Sequence, residues 1–115
     1  MGESLTGAPV VDDDTLSERE TALLRRWEAQ QSTESQSRSL GESVRLVLAG
    51  AIIGRELPPG TQLREERMAA VFNVSRTPVR EALAALENAE LLHRDGRGSL
   101  RVATITADQI LDVYA

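Results

Sequence analysis

The chain has no cysteine and only one histidine, His93. That excludes a disulfide framework and a thiolate metal site, and it leaves a histidine-based zinc site without enough ligands. As a catalytic base, His93 has no nucleophile to serve. Aromatic residues make up only 3% of the 115 positions, so the core must be aliphatic; the 41% hydrophobic content suffices for one small domain plus tails. No apolar run approaches the ~20 residues that cross a bilayer. No basic start followed by an apolar block marks a secretory signal. The expectation is a soluble cytoplasmic protein without a membrane partner. Gly50 and Gly54 form no phosphate loop, because no Gly-Lys-Ser/Thr follows them. With no cofactor loop, metal cluster or nucleophile–base pair in sight, neither an enzyme nor a cofactor is expected.

Lysine is missing too. All 13 basic residues are arginine, whose planar five-donor forks suit phosphates and guanine edges. The net charge of -5 is unevenly spread. Residues 1–34 carry eight acids against three arginines, whereas residues 35–115 are neutral, with ten of each sign. The acidity therefore belongs to the leader. Residues 1–36 read as an acidic, largely disordered leader. Asp12-Asp13-Asp14 within it is solvated charge rather than a metal site. A helix is expected near 16–30, opened by the capping box Thr15-Leu16-Ser17-Glu18 and carrying Leu16, Leu23, Leu24 and Trp27 on one stripe. Trp27 with its leucines suits a docking or oligomer contact. A Gln/Ser-rich linker follows. The leader as a whole reads as a solubilising tail, with an internal mimic of nucleic-acid charge as the sharper alternative.

The body spans 37–104. Leu40, Val44, Val47, Leu48, Ala51 and Ile52 recur at helical spacing, with Gly54 and then Pro58-Pro59-Gly60 as the stop. Thr61-Gln62-Leu63 suits a short strand. A second helix follows over about 64–72, with Met68, Ala69 and Phe72 inward. Asn73 tolerates the left-handed turn, Val74 plugs the core, and Ser75 caps the next helix. That helix, 76–89, accepts Pro78 in its first turn, where no intrahelical N–H partner is lost. Val79, Ala82, Leu83 and Leu86 form its buried stripe. At about 100° per residue, Arg76, Thr77, Arg80 and Ala84 share one open flank. Two strands, over 91–94 and 100–104, flank the turn-forming 95–99 segment, Asp95-Gly96-Arg97-Gly98-Ser99. At the end, Thr106 and Gln109 suggest another capping box and Ile105 with Ile110 a staple. Residues 105–115 are therefore expected to start a linker or helix leading into an absent C-terminal domain.

Helix, tight turn, arginine-edged helix and Gly/Arg hairpin together predict a mainly α fold with a small β-hairpin wing, a winged helix-turn-helix. Helix 76–89 would enter the DNA major groove with its N-terminal residues on base edges. Arg76 and Arg80 suit guanine or phosphate, Thr77 a phosphate or thymine methyl, and Arg67 the same groove or its backbone. Arg97 and Gly98 would sit by the minor groove. The competing reading makes these arginines a solvated face, with Arg76 paired to Glu87 or to nothing, and the domain a protein–protein module without DNA binding.

From Arg45 through Val102 the chain resembles the N-terminal domain of the GntR family of bacterial transcription regulators. The matching pieces are Gly54-Arg55-Glu56-Leu57-Pro58-Pro59-Gly60-Thr61-Gln62-Leu63, Arg64-Glu65-Glu66-Arg67, Val74-Ser75-Arg76-Thr77-Pro78-Val79-Arg80-Glu81-Ala82-Leu83, Leu86-Glu87 and Arg97-Gly98. The Ser-Arg-Thr-Pro-Val-Arg-Glu-Ala-Leu string is similar to the FadR-type (FCD) branch. The resemblance implies DNA contacts at Arg67, Ser75, Arg76, Thr77, Arg80, Arg97 and Gly98. It also implies a homodimer on a palindromic operator, a small-molecule effector bound only through a C-terminal helical domain, and a repressor working on the nucleoid. Two departures stand out: Glu90, where the family has glycine before the wing, and the long acidic leader.

Overall fold

The structure, a computed structural model, describes residues 16–33 and 38–105. The Asp12–Asp14 run, Thr15 and the helix expected from Thr106 lie outside the described residues. Four helices and three short strands follow in the order α1 (Glu18–Thr33), α2 (Leu40–Ile53), β1 (Gln62–Leu63), α3 (Glu65–Phe72), α4 (Arg76–Asn88), β2 (Leu92–Arg94) and β3 (Leu100–Val102). This is a winged helix-turn-helix.

The main helix pair is α2 against α4. Ser39 caps α2 by accepting the Glu42 N–H at 3.1 Å. Val44, Val47, Leu48, Ala51 and Ile52 then turn inward, at the spacing their sequence predicts. Leu40 departs from that pattern. It is exposed at the rim, and Gly41, Ser43 and Val44 are the first residues of the helix to be buried. The helix stops at Gly54, its C-cap, as expected. Gly54 has φ -80°, and the left-handed residue is Arg55, at φ 69°. This reversal lets the N–H groups of Glu56 and Leu57 both reach the Ala51 carbonyl, at 2.9 and 3.1 Å, and carries Leu57 into the core.

Asn73 takes the left-handed conformation (φ 57°, ψ 50°) between α3 and α4, and Val74 packs half-buried against the core. Ser75 holds the extended N-cap backbone of α4, but its side chain makes no capping bond, contrary to expectation; it stays exposed. Val79, Ala82, Leu83 and Leu86 bury one stripe of α4. After α4, Glu90 occupies the left-handed region at φ 65°, the geometry for which glycine is the usual residue. The Leu91 N–H then bonds the Leu86 carbonyl at 2.9 Å. The turn forms without glycine there, and the wing strands start in place.

The sheet is antiparallel, in the order β1-β3-β2. Leu63 faces Leu100, and His93 faces Arg101. Bonds from the Gly60 N–H to the Val102 carbonyl (2.8 Å) and from the Val102 N–H to the Thr61 carbonyl (2.9 Å) tie the wing base to the loop before β1.

The helix of the leader is part of this core. Its capping box is Ser17 with Glu20, two residues beyond the expected one. The Ser17 Oγ accepts the Glu20 N–H at 3.1 Å, and the Glu20 carboxylate accepts the Ser17 N–H at 3.0 Å. Ser17-x-x-Glu20 has the same spacing as the box expected from Thr15, which makes the two indistinguishable by pattern. Leu23 is fully buried. Trp27 packs on Phe72 with ring centroids 5.1 Å apart, uniting two of the chain's three aromatic rings. Arg26 crosses α2 where Gly50 and Gly54 lack side chains and pairs with Glu56. Its guanidinium lies 2.7 Å from where a Gly50 Cβ would stand. The Gln30 side-chain amide donates to the Ser43 carbonyl at 3.1 Å.

Truncating Leu23 to alanine would open a cavity between α1 and the body. We expect Leu23→Ala to lower unfolding stability by about 2–5 kcal/mol in denaturant titration. An unchanged midpoint would mean that α1 is not docked in solution.

Candidate nucleic-acid interface

Three pieces border one face: the N-terminal half of α4, the first turn of α3 and the hairpin between β2 and β3. A groove between them is lined by Glu65, Arg80, Ala84, Arg94 and Gly98, among others. The buried stripe of α4 fixes which way this face points. Arg76 and Arg80 emerge on the same side, with 59% and 67% of their side chains exposed, and Ser75 and Thr77 are exposed beside them. Ala84 adds no bulk one turn further along.

The two arginines converge on a single carboxylate. Glu65 accepts the Arg76 Nε–H on Oε1 at 3.1 Å. From Arg80 it accepts Nε–H on Oε2 at 2.8 Å and Nη2–H on Oε1 at 3.1 Å. The hydrogen bond from Arg80, followed by its charge and then by Arg76, holds the Glu65 carboxyl below its ordinary range. Arg76 also has Nη2 3.9 Å from Glu66. The pairing considered from sequence, Arg76 with Glu87, does not form; Glu87 pairs with Arg94 at 3.3 Å. Glu65 escaped the sequence reading because it lies 11 and 15 residues before its partners. Only the reversal at Asn73 brings the start of α3 to the start of α4, and no local period signals that.

Arg67 is placed differently. It projects from α3 toward α1, where Glu20 clasps it; the Nη2–Oε1 distance is 2.8 Å. The Glu20 carboxyl is lowered chiefly by this bond, against the opposing effect of its own burial. The structure thus does not group Arg67 with Arg76 and Arg80 around Glu65.

The wing is fastened by Asp95. Its Oδ1 accepts the backbone N–H groups of Arg97 (2.8 Å) and Ser99 (3.0 Å), and its Oδ2 accepts Arg101 Nε–H at 2.7 Å. Gly98 has φ 82°, where a side chain would be strained, and its carbonyl accepts Arg94 Nη1–H at 2.8 Å. Among the described residues, the Arg97 guanidinium has no partner and stands at the exposed tip. His93 is exposed on β2. None of the groups of histidine and acidic side chains among the described residues could hold a metal ion, and no helix there is long and apolar enough to cross a membrane.

Comparison with known proteins bears on the same segment. Residues 40–102 match the bacterial regulatory proteins of the gntR family. An uncharacterized HTH-type transcriptional regulator of Bacillus subtilis, YdhC, is 38% identical over 56 residues, covering 49% of this chain and 25% of that protein. The gluconate operon transcriptional repressor of Bacillus licheniformis is 36% identical over 76 residues, covering 66% of this chain and 31% of that one. A crystal structure of a GntR-family transcriptional regulator from Pseudomonas syringae pv. tomato superposes with a TM-score of 0.57 at 33% identity, covering 78% of this chain and 41% of that one. The matched segments thus span between 25% and 41% of the length of these relatives.

The Asp95 fastening has a measurable signature. Its bond to Arg101, helped by the Ser99 and Arg97 amides, lowers its pKa from 3.8 to about 2. Because the folded carboxyl is the more acidic one, its contribution to stability is complete above the ordinary aspartate value and fades as pH falls toward 2. Carboxyl-detected NMR titration should therefore find an Asp95 midpoint near pH 2. A midpoint at the usual aspartate value would show the hairpin open.

Proposed function

This chain belongs to the gntR family of bacterial regulatory proteins, and on that premise we propose that it is a DNA-binding transcription regulator whose α4 reads an operator half-site in the major groove. The observation that carries this reading is the shared orientation of Arg76 and Arg80. Both are exposed, both lie near the N-terminus of α4, and both turn to one side beside the wing. Helix-turn-helix proteins place their base-reading residues at that end of the second helix.

In this reading Arg76 and Arg80 address guanine edges or adjacent phosphates. Thr77 meets a phosphate or a thymine methyl, and Ser75, its hydroxyl not engaged in capping, donates to the backbone. Arg97 at the wing tip, next to the tightly turned Gly98, enters the minor groove. Arg67 grips a phosphate only by exchanging its present partner, Glu20. The protein-docking alternative would call for an apolar or acidic open flank on α4, and Arg76 and Arg80 stand there instead.

The remaining parts of the proposal follow the family. The complete protein acts as a repressor on a palindromic operator, as a homodimer in the cytoplasm at the nucleoid. A small effector bound to a further helical domain would alter the spacing of two such modules, with no catalytic step. One relative carries the name of a gluconate operon repressor, which makes small acids a reasonable first class of effector to test. A single module binds more weakly than a linked pair, because its second half-site is not reached intramolecularly.

Binding to generic duplex DNA should weaken with added salt, with a clear negative slope of log affinity against log salt concentration. A flat slope would remove the reading. Arg76→Ala and Arg80→Ala should each weaken specific binding by about 1–3 kcal/mol without altering the melting temperature, measured by anisotropy and thermal denaturation.

A further inference from the structure

Glu65 is a carboxylate at the centre of a face proposed to meet a polyanion. Left to electrostatics alone, it would weaken binding to every sequence equally. Its geometry indicates another role. With 22% of its side chain exposed, it is the most sheltered group in the cluster, and it sits in the first turn of α3, a helix anchored by Met68, Ala69, Val71 and Phe72. From this rigid base it engages the Nε edges of both arginines.

A guanidinium has five N–H donors, in a fixed plane. Arg80 commits its Nε–H and one Nη2–H to Glu65. The donors at its far end, Nη1–H and the second Nη2–H, form the two-pronged edge that matches guanine O6 and N7. Held this way, the side chain presents that edge outward before any duplex arrives, which reduces the ordering required on binding. Without the carboxylate, the same side chain can swing to the nearest phosphate, a contact that carries no sequence information.

We infer that Glu65 is a positioning residue for base recognition, holding Arg76 and Arg80 so that their outer edges meet bases rather than phosphates. This rests on the duplex-reading role proposed above and deepens it. The inference separates two quantities that usually move together: losing the carboxylate strengthens indiscriminate binding while weakening discrimination.

The experiment uses the 115-residue chain and a site selected by it from randomised duplexes, with a scrambled duplex as the reference. Glu65→Gln should bind the scrambled duplex more tightly and lose about tenfold in the ratio of selected to scrambled affinity, with the loss confined to base pairs whose preference Arg76→Ala or Arg80→Ala also erases. Glu65→Asp keeps the charge but withdraws it by one methylene. It should lose discrimination without the gain on scrambled DNA, and it supplies the readout if the glutamine variant melts early. If both affinities rise together at a constant ratio, Glu65 is a charge penalty and the inference is overturned. A lost preference at a base pair that neither arginine variant affects would mean Glu65 reads a base itself, which also overturns it. If the unaltered chain selects no site, the parent reading falls and this inference with it.

Discussion

Because one stripe of α4 is committed to the aliphatic core, the opposite stripe cannot turn away from solvent. Val79, Ala82, Leu83 and Leu86 leave the helix only one rotation about its axis. Every property of the candidate interface inherits that rotation: the shared direction of Arg76 and Arg80, the exposure of Thr77, and the position of Ala84 against the groove. With few aromatic rings available, the constraint comes from many small aliphatic contacts. These are sensitive to volume and hold a helix to a definite orientation.

Charge is organised around that core in pairs that cross between elements. Glu65 joins α3 to α4, Glu20 joins α1 to α3, and Asp95 joins the hairpin tip to β3. Pairs this exposed add little stability individually. Their stronger effect is geometric, since each fixes where an arginine fork points. A protein with no lysine is suited to this arrangement: a planar fork gripped on one edge still presents another, whereas an ammonium presents no such edge.

Much of the body could be read from the order of residues. The spacing from Val44 to Ile52, the turn-tolerant Asn73 and Pro78 in a first helical turn each reflect local rules, and the elements form where those rules place them. The misses occur where local rules compete or do not reach. The left-handed turn at Arg55, just past the expected stop at Gly54, carries Leu57 into the core and has no signal in the local pattern. Glu90 takes the same conformation ahead of Leu91. Ser75 has the cap backbone without the cap bond. Leu40 fits the apolar period but falls at the rim. The convergence on Glu65 and the clasp of Arg67 by Glu20 join residues far apart in the chain, which no periodicity encodes.

Trp27 packs tilted on Phe72, and Arg26 fills the gap left by Gly50 of α2 and Gly54 at its C-cap. The residues matched to the gntR family as a whole begin at 40, after both of these side chains. Excised at the family boundary, the domain would expose the ring of Phe72 and the glycine-lined groove of α2 to water. The contacts that close this core therefore reach beyond residues 40–102, back into α1.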